Sequence, residues 1–187
     1  SVSYAGEIIE VTLLAGLLWA GTEGGVMVWD ANSGEARKFT AENGLAANRV
    51  SSVAVGVDGA LWFGTSGGVS RFDGTAWQTF TTADGLIDND INDLLSLPNG
   101  RLLAVSSRGI SSFNGRRWQN GAGLLSLPPE GELRALAAAG GNQFWAAGSG
   151  GLGLFNGRSR QLITLANGLP DNDVQRIVST PDRAVRL

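Results

Sequence analysis

The sequence predicts an all-β protein built from β-propeller blades, and three observations predict it: an internal repeat, 28 glycines, and hairpin-turn signals at fixed places in the repeat. A strand centred on tryptophan marks the repeat at Trp19, Trp62 and Trp145, and Leu103 stands at the same place in the third unit. These positions follow one another at intervals of 43, 41 and 42 residues. A unit of about 42 residues with four short strands is typical of one propeller blade.

Glycine-containing turns divide each unit into four strands. In the second unit, Gly67-Gly68 and Asp73-Gly74 are hairpin signals, because glycine and its Asp or Asn partner adopt the backbone angles that tight turns need. The strands of this four-stranded antiparallel sheet are predicted at residues 49–55, 60–64, 68–73 and 76–81. The same register predicts a first strand that begins at each of Val50, Ile91, Leu133 and Val174. This register predicts a strand at residues 133–139, although the alanines of that segment favour a helix.

The repeat count predicts four complete blades and part of a fifth within a single domain over residues 1–187. The blades are placed at about 7–43, 49–84, 91–123, 132–167 and 173–187. The third unit departs most from the pattern, since residues 123–132 form a longer connection with Pro128-Pro129. Both ends of the sequence fall inside the repeat, so we expect part of a larger propeller. Its exposed blade edges could self-associate or accept a partner chain that completes the ring.

Composition excludes several classes of function. The net charge of −3 and the single lysine, Lys38, provide no basic stripe for nucleic acid. The chain has neither histidine nor cysteine, which excludes imidazole bases, imidazole metal ligands, thiolate nucleophiles and disulfides. No apolar run reaches the roughly 20 residues of a membrane helix. We therefore expect no enzyme, no cofactor, no bound metal and no direct membrane insertion by this chain.

Three motifs with chemical meaning are better explained by turns. Residues 148–153 fit the dinucleotide spacing G-x-G-x-x-G, and residues 64–68 fit the nucleophile spacing G-x-S-x-G, but the repeat places both on hairpins. Residues 88–93 carry alternating oxygen ligands yet lack the glycine and glutamate of an EF-hand loop, so a cation site of another kind is the minor alternative. One repeat position is instead predicted to bond the backbone of the turn before each blade: Asn48, Asn89 and Asn172.

The tryptophans are predicted to be structural. Trp19, Trp62 and Trp145 share one strand position and should fill the space between neighbouring blades. Trp77 and Trp118 share a position on the outer strand, where anchoring of that strand is favoured over stacking on a sugar ring. Arg71 and Arg108 are expected to be solvated or to lie at the rim.

The pattern Asn-Gly-Leu-x-x-Asn-x-Val, followed by Leu-Trp-Phe-Gly-Thr-x-x-Gly-Val-x-Arg-Phe-Asp-Gly, resembles the two-component-regulator propeller repeat. Residues 43–81 match it almost throughout, and residues 167–174 restart it. The resemblance implies the extracytoplasmic β-propeller sensor region of a bacterial hybrid histidine kinase or related signalling protein. It therefore implies a periplasmic or extracellular location, and family members close their ring with about seven blades or more.

The expected function is non-catalytic recognition of a small molecule or glycan on one loop face. That face collects the hairpins between second and third strands and the connections between blades. Structural assembly through protein–protein contacts is the alternative. The predicted ligand-binding residues are Glu23, Asn48, Arg49, Ser66, Asn89, Asp90, Ser107, Arg108, Ser149, Asn172 and Asp173.

Overall fold

The computed structural model describes residues 7–120, 131–155, 160–179 and 185–186. Within them the chain forms four antiparallel four-stranded sheets and one two-stranded sheet, each with its strands in sequential order. The first and second sheets hold β1 (Ile8–Leu14), β2 (Leu17–Thr22), β3 (Gly25–Asp30), β4 (Ala36–Phe39), β5 (Val50–Val55), β6 (Leu61–Thr65), β7 (Gly68–Phe72) and β8 (Trp77–Phe80). The others hold β9 (Asp93–Ser96), β10 (Leu102–Ser106), β11 (Gly109–Phe113), β12 (Trp118–Asn120), β13 (Leu133–Gly140), β14 (Gln143–Gly148), β15 (Gly151–Phe155), β16 (Arg160–Ile163), β17 (Val178–Ser179) and β18 (Val185–Arg186).

The sheets are the blades of the predicted propeller, and we number them 1 to 5 in chain order. Their first strands, β1, β5, β9, β13 and β17, contact one another in succession, so these strands form the inner layer. Short 3-10 helices lie in three of the connections that lead to the next blade: Ala41–Asn43, Thr82–Asp84 and Leu165–Asn167. No helix among the described residues is long and apolar enough to cross a membrane.

Strand positions agree with the prediction within one residue, except at two strand starts. The predicted strand from Leu133 is β13 despite its alanines. The predictions from Ile91 and Val174 were wrong, because the strands begin later, at Asp93 and Val178. There the Ile91 N–H donates to the Thr65 carbonyl and the Val174 N–H to the Gly148 carbonyl, each at 3.0 Å. The incoming chain is thus tied to the previous blade before it pairs within its own.

Apolar side chains from facing sheets form a separate core between each pair of neighbouring blades. Trp19 and Trp62 are buried between blades as predicted, and the partly buried Trp145 packs against the core between blades 4 and 5. On the outer strands, Trp77 stacks on Phe72, and Trp118 is buried in the core between blades 2 and 3, so both side chains anchor their strands. The irregular connection of residues 123–132 lies almost wholly outside the described residues.

Candidate functional site

In blades 1 and 2 the hairpins between second and third strands are fixed by a buried hydroxyl. Thr22 donates to the Gly25 carbonyl at 2.7 Å and accepts from the Gly24 N–H, and Thr65 repeats this pattern with Gly68 and Gly67. Because each hydroxyl completes the turn, the intervening residues project outward. Among the predicted site residues, Glu23, Ser66, Ser107 and Arg108 are exposed there, and Ser149 is partly buried. The G-x-S-x-G and G-x-G-x-x-G spacings lie on the hairpins between β6 and β7 and between β14 and β15, as predicted.

The connection asparagines bond to the backbone, which confirms their predicted structural role. Asn48 accepts from the Ala41 N–H at 2.8 Å and Asn89 from the Thr82 N–H at 2.8 Å. Asn172 accepts from Leu165 in the same way. Each amide oxygen thus satisfies a free donor at the start of a 3-10 helix. These three side chains hold the connection in place, and their oxygens are already engaged.

A cavity of about 1160 Å³ lies on the concave side of the inner strands. Three of the predicted residues line it, namely Arg49, Asp90 and Ser107. At its rim the Arg49 guanidinium bonds Glu23 at 3.2 Å, and Asp173 pairs with Arg134 of the cavity wall. Ser66 and Arg108 remain outside the lining, and the Ser149 hydroxyl accepts from the Glu132 N–H at 2.8 Å. The cavity also exposes side chains that the prediction missed: Glu10, Asn92, Asp93, Glu132, Arg134, Gln175 and Arg176.

Polar side chains of the inner strands join each blade to the next, and we call these contacts the inner-strand clamps. At one repeat position, Glu10 accepts from the Val53 N–H at 2.6 Å, Ser52 accepts from the Leu94 N–H at 3.1 Å, and Asp93 accepts from the Leu136 N–H at 2.7 Å. One residue earlier, Ser51 donates to the Ile91 carbonyl and Asn92 to the Leu133 carbonyl. The clamps satisfy inner-strand backbone groups that the sheet edge leaves unpaired. Aligning the repeats at their first strands would have exposed this signal.

Asp93 is the most perturbed acid that the structure describes. Its carboxylate accepts from the Ser52 hydroxyl at 2.8 Å and from the backbone of Leu94 and Leu136. Burial raises the pKa of Asp93 to about 6, although the Leu136 N–H and the Ser52 hydroxyl oppose the rise, and the negative charge of Glu10 adds to it. A carboxylate engaged in this way serves cohesion between blades.

The acidic run of residues 88–93 does not converge on one point. Asp88 accepts from the backbone of Asn89 and Asp90, Asn89 caps a 3-10 helix, and Asp93 clamps the next blade. Oxygen atoms that face different partners do not form a coordination shell. Among the described residues, no group of three acidic side chains is placed to hold a metal ion.

Sequential four-stranded antiparallel blades around a shared cavity define a β-propeller. No protein-family model and no curated protein matches the chain. Solved structures do match its fold. One is the extracellular domain of a protein described as the hybrid two-component system BT3049 from B. thetaiotaomicron. It is 20% identical to this chain, with a TM-score of 0.83, over 96% of this chain and 26% of that one. The extracellular domain described as the one-component system BT4673 from the same organism has 14% identity and a TM-score of 0.82 over 98% of this chain and 26% of that one.

An enzyme shares the fold as well. Virginiamycin B lyase from Staphylococcus aureus has 16% identity and a TM-score of 0.76, over 96% of this chain and 62% of that one. Neighbours of this fold thus include both extracellular domains of signalling proteins and enzymes. The chain spans about a quarter of the length of the two signalling domains. The comparisons confirm the predicted fold and its likeness to extracellular regions of two-component systems.

Proposed function

We propose that this chain is a non-catalytic recognition segment of an extracytoplasmic signalling propeller, which binds a small polar molecule or glycan in the inner-strand cavity. The mixed charge of the cavity carries this proposal. Arg49, Arg134 and Arg176 supply donors to the cavity lining, and Asp90 and Glu132 supply acceptors. A ligand rich in hydroxyl groups can use both, because each hydroxyl donates and accepts.

The fold neighbours support a sensing role over catalysis. The two signalling domains suggest a periplasmic or extracellular location for this chain. The lyase is described as catalytically inactive when one of its histidines is replaced by alanine. This chain has no histidine, so a lyase reaction of that kind would need a different base.

Ligand binding should raise the melting temperature and depend on the cavity rim. We expect at least one member of a panel of neutral and acidic oligosaccharides, nucleosides and amino acids to stabilise the protein in a thermal-shift assay. Arg49→Gln and Asp90→Asn should each reduce that shift at least several-fold, because each removes a charged partner of the ligand. Arg116→Gln, on an exposed hairpin away from the cavity, is the control and should leave the shift unchanged. If no panel member acts, or if both rim variants respond like wild type, the proposal fails.

A second candidate, assembly with another chain, is favoured by one face of blade 1. The register places Val11, Leu13 and Trp29 on the face opposite Trp19, and they are 51%, 71% and 47% exposed. Adjacent apolar side chains at this exposure are typical of a packing surface.

We expect this face to make the purified chain self-associate. Replacement Leu13→Lys should shift the sedimentation profile towards monomer, because it places a charge in the apolar patch. Val57→Lys is the matched control, since Val57 is also exposed, at 65%, but lies in a hairpin of blade 2. A monomeric wild-type chain at high concentration would count against assembly through this face.

A further inference from the structure

A second cavity, of about 350 Å³, lies between blades 1 and 2, at the end of the blades opposite the loop face. We call it the lateral cleft. Its walls are mainly apolar: Trp19, Val28 and Phe39 on blade 1, and Leu61 and Phe72 on blade 2. Trp19 stacks on Phe39 with ring centroids 6.2 Å apart, and Phe72 lies 5.7 Å from Trp19. The cleft has the size and aromatic lining of a small-molecule pocket.

The lateral cleft is open because blade 1 lacks a cover that blade 2 has. Arg71 occupies the position in blade 2 that Val28 occupies in blade 1, since each pairs with the tryptophan of its blade. The Arg71 guanidinium lies 5.7 Å from the Trp62 ring centroid and bonds Asp58 at 2.8 Å. The turn of blade 1 between β1 and β2 has only two residues, so it has no counterpart of Asp58.

Blade 3 also covers this position with an arginine. Ser112 stands there, and its hydroxyl accepts from the Arg101 guanidinium at 2.7 Å. A guanidinium therefore reaches this position in blades 2 and 3, from Arg71 itself and from Arg101 onto Ser112. Blade 4 has the aliphatic Leu154 there, as blade 1 has Val28. The uncovered position above Trp19 is thus a difference between blades 1, 2 and 3.

The mouth of the cleft is acidic. Asp30, Glu35 and Asp73 line it together with Arg37, which lies 3.9 Å from Glu35, and Arg71, outside the lining, lies 3.8 Å from Asp73. Backbone N–H groups of Asn32 and Ser33 lower the pKa of Asp30, and those of Ala76 and Thr75 lower the pKa of Asp73 to about 2. Both aspartates are ionised at neutral pH, which leaves an excess of negative charge at the mouth.

We propose that the lateral cleft binds an aromatic amine, with its ring against Trp19, Phe39 and Phe72 and its ammonium group at the acidic mouth. The ammonium group pairs there with Asp30 and Asp73. This site is separate from the inner-strand cavity, so it goes beyond the proposed function.

Three matched probes test the proposal by calorimetric titration of the full chain: tyramine as the cation, tyrosol as the neutral analogue and 4-hydroxyphenylacetate as the anion. We expect tyramine to bind at least tenfold more tightly than the anion, with tyrosol between them. The double variant Asp30→Asn/Asp73→Asn should weaken tyramine at least several-fold and leave tyrosol unchanged, because the asparagines keep the Oδ1 acceptors of both turns. No binding of tyramine to wild type, or equal affinity for cation and anion, would overturn the proposal.

Closing the cleft provides the second arm. Val28→Arg gives blade 1 the arginine that blade 2 has at position 71, and Asp30 of blade 1 already corresponds to Asp73 of blade 2. This variant should abolish the binding of tyramine and tyrosol. Met27→Arg is the matched control, because Met27 is the neighbouring residue of β3 on the opposite face, and it should bind normally. Val28→Phe fills the cleft without charge and decides the question if the arginine variant does not fold. If a folded Val28 variant still bound tyramine, the assigned site would be wrong. Arg49→Gln, which changes the inner-strand cavity and not the lateral cleft, should leave tyramine binding unchanged.

Discussion

Gly68→Ala should lower the free energy of unfolding by about 3 kcal/mol or more. Gly68 begins β7 with φ +134°, a conformation that side-chain-bearing residues rarely adopt. A Cβ atom there would lie 2.2 Å from the Phe80 carbonyl oxygen, so β7 and β8 would have to separate. Denaturant unfolding followed by tryptophan fluorescence measures the change.

Gly74→Ala is the control for this prediction. Gly74 also has positive φ, +100°, in the next hairpin of the same blade, but an added Cβ would have no neighbour within 4 Å. We expect a cost of about 1 kcal/mol there, from the backbone conformation alone. Similar losses for the two variants would mean that the close approach of Gly68 to β8 contributes nothing.

Asp93 should make the stability of the wild-type protein depend on pH between about 4 and 7. The folded-state pKa of about 6 lies above the ordinary aspartate pKa of 3.8, so the folded state holds the proton more tightly than the unfolded state does. The resulting stability is fully present below pH 3.8 and is lost as the pH rises through 6. Relative to an Asp93→Ala variant, the wild type should gain about 2 kcal/mol between pH 7 and pH 4.

The Ala variant also isolates the clamp. Without the carboxylate, the Leu136 N–H between blades 3 and 4 loses its acceptor, which costs roughly 1–3 kcal/mol when the group is buried. Unfolding curves of both proteins at pH 4, 5, 6 and 7 separate this constant loss from the pH-dependent part. Glu132→Ala, an exposed acid at the cavity rim, should leave the slope with pH unchanged. Parallel curves for wild type and Asp93→Ala would refute the assigned titration.

The fold was predictable because the repeat applies the same local rules several times. The tryptophan strand, the Gly-Thr hairpin and the Asn-Gly connection each appear at fixed spacing. The strands of a unit that departs from the pattern, such as the third, can therefore be placed from the other units. The true starts of β9 and β17 were missed because Ile91 and Val174 bond to the preceding blade, a contact between units that local patterns do not encode.

The candidate site was less predictable for two reasons. Loop polarity indicated Arg49, Asp90 and Ser107, which line the cavity, but it gave equal weight to asparagines whose oxygens are used by the backbone. The inner-strand clamps use glutamate, serine and aspartate at one repeat position. These residues share a role as hydrogen-bond acceptors but no residue type, so the repeat pattern did not reveal them. The lateral cleft could not be predicted because it forms where the Val28 side of blade 1 faces blade 2. The sequence does not show which sides of two sheets meet.

The clamps also distribute cohesion unevenly along the chain. Glu10, Ser52 and Asp93 hold three successive seams, but Ala135 stands at that position in blade 4 and offers no side-chain acceptor to blade 5. In a repeat array, each unit is stabilised mainly by its nearest neighbours, so the weakest seam decides where partial opening starts. We therefore expect local opening to start between blades 4 and 5, where the Val174–Gly148 hydrogen bond, the Arg134–Asp173 pair and the shared apolar core are the contacts that remain.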